Sequence, residues 1–362
     1  MFINNYSGEI KVKNTSCIKI ICLVAVLAST NLFAGAIRSQ GSAGAAQLLI
    51  PVGAQNLALG GANVSLVSGV SALYVNPAGT SGLEGSGQAT VSNMTYLADI
   101  GITYAGLVSN LGSFGTVGLS IKTLDFGDIP VTTADETDGT GAFYSPNFLT
   151  LTTNYSRQFS DNARFGVNMK VISEQIMNTT AKGFCTDLGV QYAFEELPIS
   201  VGIALKNLGG RMTYDGSDLE QNQVPAGSES GTIQERFRIH AQSFELPALL
   251  DIGLTYQPIG GLELMGAFTN NSASTNTLNF AGKYSMKGMW VGGGMSTASV
   301  IGDQGVNTDE EWTDKTESLY GASFGAGVSV PLGELNLDIS YSLRTVNNYF
   351  ENNSLLEMTV GF

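Results

Sequence analysis

The chain has 362 residues, of which 43% are hydrophobic and only 13% charged, with a formal net charge of −14. Charged residues make up about a quarter of an ordinary soluble domain, so this surface has too few charges to meet water all round. No run of 18 apolar residues occurs beyond the first 35 positions, which excludes a bundle of spanning helices, and the acidic balance excludes a nucleic-acid partner.

Residues 1–36 read as a secretory signal peptide. Lys11, Lys13 and Lys19 form a positive start, 20–28 an apolar centre, and Ala34-Gly35-Ala36 a cleavage site of the A-x-A kind. Removal takes away three lysines and one glutamate and moves the net charge from −14 to −16. Cys17 and Cys22 leave with it, so only Cys185 remains and no internal disulfide is expected.

Residues 37–85 have no strand period. Leu48-Leu49-Ile50-Pro51-Val52-Gly53-Ala54 and Leu57-Ala58-Leu59-Gly60-Gly61-Ala62 are apolar, nearly uncharged and punctuated by Gly and Pro. Ser71-Ala72-Leu73-Tyr74-Val75 reads as a short helix that Asn76-Pro77 ends, with Ala78-Gly79 beyond. A disordered periplasmic arm would be polar and charged. This segment is therefore expected inside a barrel, as a hatch.

Residues 86–362 repeat a period of two. Phe165, Val167, Met169 and Val171 alternate with Arg164, Gly166, Asn168 and Lys170, and Ile199, Val201, Ile203 and Leu205 with Ser200, Gly202, Ala204 and Lys206. One face is apolar. The other is mostly Gly, Ser, Ala, Thr and Asn, which suits a crowded barrel interior rather than bulk water. Fourteen strands are expected, at 86–94, 99–110, 113–123, 147–159, 162–175, 180–195, 198–207, 246–257, 260–270, 275–286, 288–297, 317–331, 333–344 and 352–362. Alternate connections are short and turn-like, whereas the long ones, near 124–146, 208–245 and 298–316, all fall at the other end. Tyr155, Phe159, Tyr192, Phe194, Tyr256, Tyr284 and Phe362 mark the short-turn end as one aromatic girdle. The last strand carries Met358, Val360 and a terminal Phe362 on its apolar face, the expected barrel-assembly signal. The fold class is thus an all-β, fourteen-stranded antiparallel transmembrane barrel in the outer membrane of a Gram-negative cell.

Catalytic chemistry is sparse. His240 is the only histidine and shares its loop with Arg236 and Arg238, so a metal cluster or a serine triad has no basis. Cys185 lies on the polar face of a strand. Gly321, Gly325 and Gly327 fall inside an alternating strand, not before a helix, and are no phosphate loop. Asp125, Asp128, Asp135, Glu136 and Asp138 form one acidic loop, and Asp303, Asp309, Glu310, Glu311 and Asp314 another. No enzyme and no cofactor is expected.

The run from Gly44-Ala45-Ala46 through Ile50-Pro51-Val52-Gly53-Ala54, Gly60-Gly61 and Asn76-Pro77-Ala78-Gly79 resembles the N-terminal signature of the PorV/PorQ family. Ala204-Leu205-Lys206-Asn207-Leu208-Gly209 and Glu245-Leu246-Pro247 fit as well. These are FadL-like barrels, and the resemblance implies a hatch built on Pro51, Gly53, Gly60, Gly61, Asn76, Pro77, Ala78 and Gly79. It also implies a part in type IX protein secretion or surface attachment. The partners would then be translocon subunits and the C-terminal domains of cargo, met at the long external loops. The broader FadL-like class implies the alternative: passage of a hydrophobic small molecule, with outer-membrane lipid around the barrel and the hatch as gate.

Overall fold

From Gly87 onward the period-two pattern folds as strands: β1 Gly87–Thr95, β2 Gly101–Asn110, β3 Thr116–Asp125, β4 Asn147–Gln158, β5 Ala163–Ile176, β6 Thr179–Ala193 and β7 Ile199–Gly209. The remainder are β8 Leu249–Ile259, β9 Leu262–Asn271, β10 Asn276–Met286, β11 Met289–Ser299, β12 Tyr320–Leu332, β13 Leu335–Val346 and β14 Asn353–Gly361. The structure is a computed structural model that describes residues 43–223, 235–299, 319–347 and 350–362. The signal-peptide reading at 1–36 and the acidic stretch from Asp303 to Asp314 lie outside the described residues.

Each strand pairs antiparallel with the next, and β14 pairs back onto β1 from Gln88↔Gly361 to Thr95↔Ser354. The sheet is therefore a closed, fourteen-stranded antiparallel barrel. Closure gives both edge strands a partner, which a bilayer demands because it supplies no water to an unpaired N–H or C=O. The expected strands stand within a few residues of the observed ones. Every strand also sends at least one large apolar side chain outward and exposed, among them Val91, Leu119, Met169, Ile203, Phe280, Phe324 and Leu356, each 44–57% exposed. Residues between them face inward and are buried, as Asn168, Lys170, Ser200, Asp251 and Thr255 are. A band of exposed hydrocarbon around a polar, filled interior is the arrangement that lipid selects.

Tight turns at one end join β2–β3, β4–β5, β6–β7, β8–β9, β10–β11 and β12–β13. In barrels of this kind such turns are periplasmic. Tyr155, Phe159, Tyr192, Tyr256, Tyr284 and Phe362 are exposed at that end. The opposite end carries the longer loops. There Ile129–Pro130 pairs with Phe143–Tyr144, and Glu220–Gln223 with Glu235–Arg238.

Residues 43–86 lie inside the bore. They fold as short helical pieces: Ala46–Leu49, Ala54–Ala58, Asn63–Ser65, Gly69–Ser71, Ala72–Val75 and Pro77–Gly82. Helices this short have little stability alone and persist because their surroundings hold them. The hatch supplies the apolar core that the polar inner wall lacks. Val64, Val67, Ala72 and Val75 pack on Ala204 and Ala267, while Ile50, Ala54 and Leu57 pack on Met94, Ile102 and Leu355.

Candidate functional site: a hatch between two lumen cavities

The hatch is anchored at both ends. Gly44 N–H donates to Glu245 C=O at the long-loop end (3.1 Å), and Ser86 N–H to Phe362 C=O at the short-turn end (2.7 Å). Ala45 and Leu48 pack with Met212, Leu246, Tyr214 and Phe244. Tyr214 donates to Glu174; burial first, then that carboxylate, push its phenol up.

Asn76 ties the middle together. Its Nδ2 donates to Val64 C=O (3.0 Å) and to the strand carbonyl of Val190 (3.1 Å), and its Oδ1 accepts from Ala78 N–H (3.2 Å). The last bond caps Pro77–Gly82, with proline at the first turn, where its missing N–H costs nothing. Further bonds hold the hatch to the wall. Gln191 Nε2 donates to Val67 C=O (2.9 Å), Ser65 Oγ and Thr255 Oγ1 lie 2.6 Å apart, and Thr80 donates to Asn154 (2.7 Å). From Asn154 the network runs through Asn168 to Asp187, which pairs with Lys170 at 2.7 Å. Lys206 pairs with Asp251 at 2.7 Å, and Lys122 Nζ donates to the carbonyls of Gln47 (2.6 Å) and Ile50 (3.2 Å).

The barrel wall is cut to admit this segment. A Cβ on Gly166 would lie 2.2 Å from Pro77 O, one on Gly189 2.1 Å from Asn76 Oδ1, and one on Gly202 2.5 Å from Ser65 Cα. These inner-face glycines mark where the hatch comes directly against strand backbone.

Two cavities flank the hatch. One, of about 460 Å³, opens at the short-turn end and includes Gln55, Leu59, Asn63, Val67, Met265, Trp290 and Glu357 in its lining. The other, of about 190 Å³, lies toward the long loops and includes Asn56, Leu57, Gly60, Gly61, Lys206, Asp251 and Arg344. Residues Ala54–Gly61 lie in the septum between them, which Asn63, Val64 and Val67 continue. Gln55 and Leu59 face one cavity; Asn56, Leu57, Gly60 and Gly61 face the other. Glu357 of β14 holds the septum's start by accepting from Ala54 N–H at 2.7 Å. Gly60 and Gly61, at φ 57° and 78°, turn the chain out of its helix, which favours glycine at both positions.

Of the residues singled out in the sequence, Pro51, Gly53, Gly60 and Gly61 shape the septum. Asn76, Pro77, Ala78 and Gly79 form the anchored block beside β4–β6. Met358, Val360 and Phe362 lie on the outer face of the closing strand, with the Phe362 ring over Gly87. Cys185 is buried on the inner face, and His240 is exposed in its loop. Among the described residues no group of three or more His, Cys, Asp or Glu is placed to hold a metal ion. Glu357, Arg344, Trp290 and the Lys170–Asp187 and Lys206–Asp251 pairs were not singled out. The signal for the charged ones was their placement on the inner face of apolar strands; Trp290 carried no such signal.

No family model and no curated protein sequence matches this chain. Solved structures do. The CymD monoaromatic hydrocarbon channel matches with a TM-score of 0.54 at 12% identity, over 86% of this chain and 97% of that one. The Pseudomonas putida toluene transporter TodX matches at 0.54 and 12%, over 85% and 96%. A Pseudomonas aeruginosa FadL homologue matches at 0.53 and 13%, over 85% and 97%. At such identity the likeness establishes the fold, that of an outer-membrane β-barrel.

These matches correct the expectation of a PorV/PorQ protein in type IX secretion. The barrels that align over nearly the whole described chain are hydrocarbon channels and a FadL homologue. The physical reason is plain at Gly60, Gly61, Asn76 and Pro77: they serve turns, a cap and backbone contact within the lumen. The motif run reports how a hatch packs and carries no information about a protein partner. Translocon subunits and cargo domains at the long loops are withdrawn with it.

Proposed function

We propose that this protein is a FadL-like channel that passes small hydrophobic molecules through the outer membrane, without catalysis, and that the septum Ala54–Gly61 is its gate. The carrying observation is the septum itself: the short helix Ala54–Ala58 and its glycine turn present Gln55 and Leu59 to one cavity and Asn56, Leu57, Gly60 and Gly61 to the other. It is held at one end by Glu357 and followed by the Ser65–Thr255 contact. Support comes also from the shared fold with barrels described as toluene and monoaromatic hydrocarbon transporters. Both cavities have apolar flanks, Leu59, Val67, Met265 and Trp290 in one and Leu49, Pro51, Leu57 and Leu249 in the other. In this reading residues 37–85 are the hatch and 86–362 the barrel, with Met358, Val360 and Phe362 as its assembly signal.

The test is uptake of radiolabelled toluene by Gram-negative cells that lack such channels and carry this barrel. Faster, saturable uptake than in control cells is expected. Uptake equal to control, with the barrel inserted, would overturn the reading.

A further inference from the structure

The buried lysines of the lumen are all satisfied: Lys170 and Lys206 have carboxylates, and Lys122 has two hatch carbonyls. Arg344 is different. It projects from the inner face of β13 near the long loops, with its guanidinium 3.6 Å from the centroid of the Tyr320 ring. Its Nε and Nη2 are shielded from solvent and have no hydrogen-bond acceptor. No carboxylate among the described residues pairs with it. Directly opposite in the β13–β14 ladder stands Asn353, fully buried, with neither amide atom bonded. An uncommitted, desolvated donor is costly, and more so on a charged group, so an arriving acceptor gains what the unpaired donors forgo.

Arg344 lines the 190 Å³ cavity. Of the charged groups there, Lys206 and Asp251 neutralise each other, which leaves one positive charge. We propose that this cavity binds a small monocarboxylate, gripped by Arg344. A guanidinium offers paired N–H groups in the fork that a carboxylate accepts. The single excess charge matches a monoanion better than a phosphate dianion. Leu49, Pro51, Leu57 and Leu249 offer an apolar bed for the rest of the molecule. The volume lies below the roughly 300 Å³ at which drug-sized pockets begin, so a short or single-ring body fits and a long chain does not. The inference rests on the channel reading only in placing this cavity on the solute's path.

Isothermal titration of the purified full-length barrel with benzoate, toluene and inorganic phosphate tests it. Benzoate should bind at one saturable site. Arg344→Gln should weaken that binding at least about tenfold, because the bonded charge loses its partner. Arg344→Lys, which keeps the charge and loses the fork, should weaken it less, and it carries the test if Arg344→Gln fails to fold. No saturable benzoate binding, equal binding by the variants, or phosphate binding as tight as benzoate would each overturn the proposal. Benzoate failure alongside normal toluene uptake would remove this site and leave the channel standing. Arg344-dependent benzoate binding without toluene uptake would do the reverse.

Discussion

At the scale of single residues, the fit between hatch and wall turns on positions where a side chain has no room. Gly202 sits against Val64 and Ser65 so closely that even a methyl group would overlap their backbone. Gly202→Leu should therefore push the hatch off β7 at a cost of about 1–3 kcal/mol, and leave the lipid-facing side of the barrel untouched. Planar-bilayer recording should show a raised ion conductance for this variant. Gly361 is the control, since a Cβ there meets Gln88 and Asn336 at an ordinary 3.8–3.9 Å, and Gly361→Ala should conduct as the parent does. A Gly202→Leu barrel as tight as the parent would mean that the hatch does not seal the bore. The same residues show what could be read in advance. A wall face rich in glycine was plain in the sequence, and so was a glycine-punctuated apolar segment before it. Which glycine meets which part of the segment was not, because Gly202 and Ser65 are far apart in the chain and are brought together by the path of the hatch through the bore and not by any local pattern.

At the scale of elements, the strands were legible because lipid outside and a filled bore inside impose a strict period of two. β7 is the clearest case: Ile199, Val201, Ile203 and Leu205 face out, and Ser200, Gly202, Ala204 and Lys206 face in, as the alternation requires. The hatch helix at Ala72–Val75, stopped by Asn76-Pro77, was also visible from its breaker. The contacts between elements were not. Glu357 reaches Ala54 across 303 positions, and Lys206 meets Asp251 only because β7 and β8 pair in the observed register. The face assignment has a direct consequence. Ile203→Arg places a charge on the outer face near mid-strand and should cost about 2–4 kcal/mol in denaturant unfolding from vesicles. Ser329→Arg points into the larger cavity and should cost less than about 1 kcal/mol. Similar costs at both positions would reverse the assigned faces.

At the scale of the whole molecule, the barrel is a closed frame around a segment that is fixed at both ends and bonded to the wall in between through Gln47, Ile50, Ala54, Ser65, Val67, Asn76 and Thr80. Gly44 is bonded to the long-loop side and Ser86 to the closing strand, so ejection of the entire hatch would break both anchors. Local movement of Ala54–Gly61 would break the Glu357 bond and merge the two cavities with less disruption. The proposed channel function would therefore draw on local opening of one segment within a closed frame, the kind of element in which motion is generally found. The N-terminal motif run does not specify a partner, because its glycines and Asn76 serve turns and contacts inside the lumen. The most direct measurement pins the hatch to the wall just beyond the gate. Ser65 and Thr255 have hydroxyl oxygens 2.6 Å apart, so Ser65→Cys with Thr255→Cys should form a disulfide beside the septum. Toluene uptake by cells carrying this double variant should fall to the level of barrel-free cells when the pair is oxidised and recover on reduction. Equal uptake in both redox states, with the disulfide verified, would contradict a moving hatch as the gate.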